Sequence, residues 1–325
     1  MSEAEAARGA GGNWPPAFEK AGARRREWEH LLRVAAFAGL DPGQVVIPSR
    51  GYAQVGPLSL HYVEWPAPPA SEGNLLFLHG GALQARTWDA VCMILRDHYR
   101  CTALDLRGHG ESNWSADGDY TLAAHAADIT AFIRQRRLDH VILVGHSLGG
   151  LASILVAAAE PAVAGLVLID IAPTTNPQAT GRVREFIQSR RGFGSADELL
   201  EHVLRFAPRR RRELLTGSLV HNIQVLADGT LAWKYDPSHF DGEPVGQAEL
   251  WTPLARIGCP ILLVRGGRSR VVTDEAAARL VAEAPDARAV LIEQAGHTVQ
   301  GDAPLELGAV IREFTRGAAP SPGPA

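Results

Sequence analysis

Ser147 sits in Gly145-His146-Ser147-Leu148-Gly149, after the apolar run "HVILV" and before the helix-forming run "LASILVAAAE". A serine hydroxyl is a weak nucleophile until a neighbouring base takes its proton. The G-x-S-x-G spacing suits a serine held on a sharp strand-to-helix turn, where its backbone occupies an unfavourable region and flanking side chains would clash. The helix that follows supplies free N–H groups and a partial positive charge where an oxyanion would develop. The alternative is a glycine-rich connection that merely contains a serine. Strand, turn and helix all fall where the motif requires them, which favours the nucleophile.

A nucleophile of this kind must be carried by a sheet. From Val45 onward, "SRGYAQVGPLSLHYVEW" reads as two strands around the Gly56-Pro57 turn. The runs "NLLFLHG", "CTALDLRG", "HVILVGH", "GLVLID", "CPILLVRGG" and "ARAVLIEQAGH" are short, continuously apolar and rich in Val, Leu and Ile. Such runs mark strands buried on both faces of a parallel sheet. They alternate with helical stretches such as "YTLAAHAADITAFIRQRR", which predicts an α/β class with a doubly wound, mostly parallel sheet. The rhythm breaks over residues 172–249, where a mostly helical insertion is expected. Within it, Ser195 and Glu198 suggest a capping box and "LADGTLAW" a hairpin turn. The expected organisation is therefore an N-terminal extension over 1–44, a core over 45–171 and 250–316, a cap or lid over 172–249, and a flexible tail over 317–325. The extension carries one helix, "REWEHLLRVAAFAGL", with an apolar stripe of Trp28, Leu31, Leu32, Ala35 and Phe37. Flank packing is the expected use of that stripe; contact between subunits of a homo-oligomer and cover over the site entrance are the alternatives.

The balance of 32 Lys+Arg against 36 Asp+Glu in 325 residues suggests neither a nucleic-acid partner nor an anionic membrane surface. The Arg209–Arg212 run reads as a solvated face, with an anionic substrate group or partner as its alternative. The three cysteines are scattered, against a disulfide framework or a structural zinc site. The N-terminus lacks a basic region followed by an apolar one, and no apolar run approaches the roughly 20 residues that cross a bilayer. A cytoplasmic location is the expectation.

Four motifs give the chain a family resemblance: "LFLHGG" at 76–81, "ALDLRGHGES" at 103–112, "VGHSLGG" at 144–150 and "QAGHTV" at 294–299. Over Val45 to Thr315 it resembles the serine α/β-hydrolases, and "LIDIAPTT" draws the resemblance towards esterase-like members. The resemblance implies an α/β-hydrolase fold with a helical cap inserted after the sixth strand. It also implies an oxyanion hole from the backbone of Leu148 and Gly81, with Ala82 the neighbouring choice. The family order of serine, acid, histidine makes His297 the base, ahead of His109 and His146. His79 is expected to hold its loop, and Asp105 to fix one.

The acid departs from the common pattern. Many relatives carry it after the seventh strand, where this chain reads "VRGGRSRVVTDE", with Ser269 and Arg270 at the expected places. Asp274 reads as a helix-start residue. Asp170, ending "LVLID", resembles members with the acid after the sixth strand and is the expected acid. Ser269 is the auxiliary candidate beside His297.

Together these residues support acyl transfer to water: Ser147 attacks a carbonyl, His297 moves the protons, and Asp170 orients His297. The expected substrate is a small to medium carboxylic ester or lactone, and no metal or organic cofactor is called for. Pocket candidates are Trp88, His146, Trp233 and Tyr235, with Phe193, Phe206 and Phe240 as further aromatic residues of the insertion. Amidase, thioesterase and carbon–carbon bond hydrolase chemistry use the same residues, and a non-catalytic ligand-binding protein on this fold is the alternative from another class.

Overall fold

The computed structural model describes residues 23–69, 71–206, 219–241 and 247–318. The Arg209–Arg212 run, most of the N-terminal extension before the helix and nearly all of the expected tail lie outside them. Among the described residues there are eleven strands: β1 (Ser49–Val55), β2 (Leu58–Trp65), β3 (Asn74–Leu78), β4 (Arg100–Leu104), β5 (Val141–His146), β6 (Val163–Ile169), β7 (Gly192–Phe193), β8 (Ile223–Val225), β9 (Leu231–Trp233), β10 (Ile261–Gly266) and β11 (Ala287–Ile292). The longer helices are α1 (Ala23–Phe37), α2 (Asp89–Leu95), α3 (Leu122–Arg136), α4 (Leu148–Ala159), α5 (Pro177–Ser189), α6 (Ala196–Phe206), α7 (Asp274–Glu283) and α8 (Pro304–Ala318).

Eight strands form one sheet in the order β1-β2-β4-β3-β5-β6-β10-β11. β1 and β2 form an antiparallel hairpin, β2 meets β4 antiparallel, and every pairing from β4 to β11 is parallel. The expected mostly parallel, doubly wound sheet is thus observed. Its two faces are read directly from strand alternation. In β3, Leu76 and Leu78 face the layer of α3, α4 and α7, with Ile129, Phe132, Leu151 and Leu280. Leu75 and Phe77 face the opposite layer of α1, α2 and α8, with Leu31, Leu95, Leu307 and Phe314. The apolar stripe of α1 therefore lies against the chain's own core. Leu31 is fully buried, a contribution of about 2 kcal/mol for a leucine side chain. Trp28, expected in the same stripe, stays exposed.

Between β6 and β10 the chain builds a separate apolar cluster of Ile187, Phe193, Leu199, Leu200, Val203, Leu219, Trp233 and Tyr235. Its helices α5 and α6 accompany a three-stranded antiparallel sheet, β7-β9-β8, so this segment is less helical than its sequence suggests. The hairpin falls at Asp228-Gly229 as expected, with Gly229 at φ +83. At the start of α6, Ser195 Oγ accepts from Glu198 N at 3.2 Å, while the Glu198 carboxylate reaches one residue further back, to Gly194 N at 2.7 Å. No helix among the described residues is long and apolar enough to cross a membrane.

Candidate active site

Three neighbouring parallel strands deliver the site. β5 ends at His146, whose Cα partner in β6 is Ile169; in β6, Ile169 in turn pairs with Val264 of β10. Ser147 and Asp170 are the residues immediately beyond the first two strands, at the carboxyl edge where open α/β sheets bind ligands. Both adopt backbone angles that side chains avoid: Ser147 has φ 48 and ψ −115, and Asp170 has φ 49. Residues so strained persist where surrounding structure over-determines them. Here Ser147 N donates to Ile169 O at 3.3 Å, and Asp170 N to Val264 O at 2.7 Å.

The glycines of the elbow have steric causes. A Cβ on Gly145 would meet the Gly150 Cα at 2.6 Å, and one on Gly149 would meet Leu78 O at 2.5 Å. The helix therefore starts hard against two strands, which turns the serine out of the sheet. Leu148 opens α4, whose first N–H groups have no acceptor within the helix.

The oxyanion-loop candidates follow β3. Leu83 N donates to Gly80 O at 3.1 Å, closing a turn with Gly81 and Ala82 at its centre. The N–H groups of the two central residues are not used by that turn bond. Ala82 has φ +60, again a left-handed conformation. His79, fully buried, holds the turn from behind. Its Nδ1 donates to Gly80 O at 2.8 Å and its Nε2 accepts from Leu106 N at 3.0 Å. Burial pushes the His79 imidazole below its ordinary pKa, in keeping with a neutral ring. Asp105 fixes the next stretch, accepting from Ala85 N at 2.6 Å, Glu111 N at 2.9 Å and His61 Nδ1 at 2.8 Å.

His297 and Asp170 are joined directly. His297 Nδ1 lies 2.8 Å from Asp170 Oδ2, with the carboxylate almost wholly buried. The other oxygen, Oδ1, accepts from Gly266 N at 3.1 Å, and Ser269 Oγ donates to Oδ2. Val271 N in turn donates to Ser269 Oγ at 3.2 Å. A carboxylate held by several donors cannot rotate away from the imidazole it orients. Ser269, the auxiliary candidate, touches Asp170 rather than the histidine itself. Asp274 is remote from this arrangement: it is highly exposed and pairs with Arg265 at 2.7 Å, while Thr273 caps α7.

The histidine loop is pinned at three points. Gly296 N donates to Asp302 Oδ2 at 2.8 Å, Arg268 N to Ala295 O at 2.9 Å, and His146 Nε2 to His297 O at 2.9 Å. The last contact brings the His146 and His297 rings to 4.6 Å, beside Ser147. His146 is 2% exposed. It supports the loop rather than lining a pocket, a role that adjacency to the serine does not reveal in sequence.

The aromatic pocket candidates divide. Trp88 is fully buried in the sheet-face core, 5.2 Å from the Phe77 ring, so its expected pocket position is corrected to a core one. The turn at 85–88 swings it inward. Trp233 is held within the inserted segment, its Nε1 donating to Arg190 O at 3.0 Å. Tyr235 donates to Ile187 O at 2.9 Å and packs edge-on to Phe240 at 5.4 Å. Phe193 is buried beside Trp233, and Phe206 lies 5.2 Å from Phe186. Phe240 reaches the loop after β3: a Cβ on Gly81 would lie 3.1 Å from its ring and 4.0 Å from Ile187. Among the described residues, no group of three or more His, Cys, Asp or Glu side chains could hold a metal ion.

A doubly wound sheet with a strained serine elbow and an Asp–His pair at its carboxyl edge defines an α/β-hydrolase. Residues 75–310 match the sequence model of the alpha/beta hydrolase family, and the chain belongs to that family. It is 35% identical over 250 residues to esterase Rv0045c of Mycobacterium tuberculosis, covering 74% of this chain and 82% of that protein. A solved structure of the same esterase superposes with a TM-score of 0.73 at 32% identity, covering 89% of this chain and 98% of that one. The 3-hydroxybutyrate-oligomer hydrolase of Cupriavidus necator is 29% identical over 291 residues, covering 82% of this chain and 98% of that protein. The chain is a hydrolase acting on ester bonds.

Proposed function

We propose that the protein is a serine esterase that cleaves small to medium carboxylic esters or lactones through an acyl-enzyme. The observation that carries the reading is the His297–Asp170 pair at 2.8 Å, beside the strained Ser147 on the neighbouring strand end. Asp170 fixes the tautomer in which His297 Nδ1 carries the proton, leaving Nε2 to take the proton of Ser147. Ser147 Oγ attacks the ester carbonyl, and the amides of Leu148 and of the Gly81-Ala82 turn stabilise the oxyanion. His297 then protonates the departing alcohol. Water activated by the same nitrogen hydrolyses the acyl-enzyme and restores the serine.

The segment between β6 and β10 acts as a cap in this reading. Phe240 and Ile187 stand over Gly81, so the acyl group meets an apolar wall next to the oxyanion donors. That favours an uncharged acyl chain of limited bulk. The test is labelling by a fluorophosphonate together with hydrolysis of p-nitrophenyl esters of graded acyl length. Labelling at Ser147, lost with activity in Ser147→Ala, is the expected result. Unlabelled wild-type protein without esterase activity would overturn the serine mechanism and leave a ligand-binding role on this fold.

A further inference from the structure

Glu27 belongs to α1, outside the span that matches the family model, yet it reaches the polypeptide just beyond the Gly81-Ala82 turn. Glu27 Oε1 accepts from Arg86 Nη1 at 2.6 Å. The Arg86 Nε then bonds both oxygens of Asp89, at 2.7 and 3.0 Å. His30, one turn along α1, places Nε2 3.4 Å from Asp89 Oδ2. Arg86 and Asp89 are both nearly inaccessible, with side chains 4% and 2% exposed. Burial opposes the charge on Arg86, but Asp89 and Glu27 outweigh it and keep the guanidinium protonated. Two residues of α1 thus grip two residues of the segment that leads from the oxyanion turn into α2. Within that segment Gln84 Oε1 accepts from Arg86 N at 2.7 Å, carrying the restraint back towards Leu83.

We infer that α1 is part of the catalytic apparatus and that Glu27 is a positioning residue, holding the Gly80–Leu83 oxyanion turn in place through Arg86. The inference rests on the serine-esterase reading for its effect on turnover. The physical argument is one of precision: an oxyanion donor works only when aimed at the developing charge, and a displacement of about 1 Å can cost about a hundredfold in rate. Asp105 restrains the stretch after that turn, at Ala85, from the sheet side, so Glu27 supplies the opposing hold from the helix layer. A buried arginine fork has no equivalent partner in water or in a neutral amide.

The test compares wild type with Glu27→Gln in the full chain. Arg50→Gln is the control, because Arg50 shares the same Glu27 oxygen at 2.8 Å but lies on β1 and is half exposed. Glu27→Gln is expected to lower kcat roughly tenfold with KM within about twofold, and to raise amide hydrogen exchange selectively over residues 80–88. Arg50→Gln should leave both near wild type. Should Glu27→Gln not fold, Arg86→Lys carries the same comparison, since it keeps the charge and loses the fork. Wild-type kcat in the variant, or a fall in kcat with unchanged exchange over 80–88, overturns the inference. Hydrogen exchange needs no substrate. A wild-type protein that fails to react with fluorophosphonate therefore defeats the serine reading alone, and exchange still decides whether Glu27 anchors the turn.

Discussion

Ser269 and His297 meet on the same carboxylate oxygen, Asp170 Oδ2. The loop after β10, where many relatives place the acid itself, here supplies a hydroxyl that holds an acid coming from β6. The carboxylate beyond β6 and the hydroxyl beyond β10 thus share one site at the sheet edge. Asp170→Asn should therefore lower kcat by about 10⁴-fold while the protein remains folded, because the amide favours the wrong imidazole tautomer. Ser269→Ala should be milder, about tenfold or less, since one donor of three to the carboxylate is lost. Adding Ser269→Asp to Asp170→Asn should recover at least about tenfold, by returning a carboxylate beside His297. Steady-state kinetics of the three variants on one chromogenic ester decide the point.

His146 provides a second measurable support. Its Nε2–H donates to His297 O, so it fixes the backbone of the histidine loop rather than the reacting atoms. His146→Phe keeps an aromatic ring, somewhat larger than the imidazole, and removes the bond. The expected loss is about 1 kcal/mol of stability, with kcat reduced and KM little changed. Thermal unfolding and ester hydrolysis measured on the same sample check both halves.

The sheet and the elbow were legible because each rests on a local pattern, whereas the pairing of Asp170 with His297, 127 residues apart, was legible only through the family resemblance. Continuous apolar runs mark buried parallel strands, and Gly145 and Gly149 are where close backbone approach forbids a side chain. What sequence does not carry is direction. Trp88 stands in an amphipathic stretch after the oxyanion loop, and only the turn at 85–88 decides that it faces the core. β7, with two residues, and β8 and β9, with three each, are too short to show a period of two, so the inserted segment reads as more helical than it is. Glu27 and Arg86 are 59 residues apart in the chain, and no local pattern pairs them.

Phe240 should govern acyl length. Its ring lies where a Cβ on Gly81 would be 3.1 Å away, and its backbone oxygen is held by Arg184 and Gln188 of α5. Phe240→Ala opens space beside the oxyanion turn without disturbing that backbone. The optimum of a p-nitrophenyl ester series should move to longer chains, with kcat/KM for the shortest ester falling less than about tenfold. An unchanged chain-length profile would remove Phe240 from the acyl site.

Acid should weaken the contact between the core and the inserted segment through buried histidines. His239, from the turn after Tyr235, stacks on Tyr120 at 4.8 Å and meets His109 at 5.2 Å and His125 at 5.3 Å. Burial lowers the pKa of all three; His239 falls to about 4, with Asp236 opposing the shift and His79 adding to it. Arg107 and His239 further disfavour charge on His125, and His79 and His239 do so on His109. In the unfolded chain these rings protonate near 6.5. Above that pH neither state gains a proton and stability is full. As pH falls from 6.5 towards 4, the unfolded state takes up protons that the folded state refuses, so stability declines. His239 alone should account for about 3 kcal/mol across that interval, at about 1.4 kcal/mol per unit. His239→Phe retains the stacking on Tyr120 and removes the titration. Urea denaturation at a series of pH values should then show a shallower acid loss in the variant than in the wild type, whereas parallel curves would mean that other groups govern acid sensitivity.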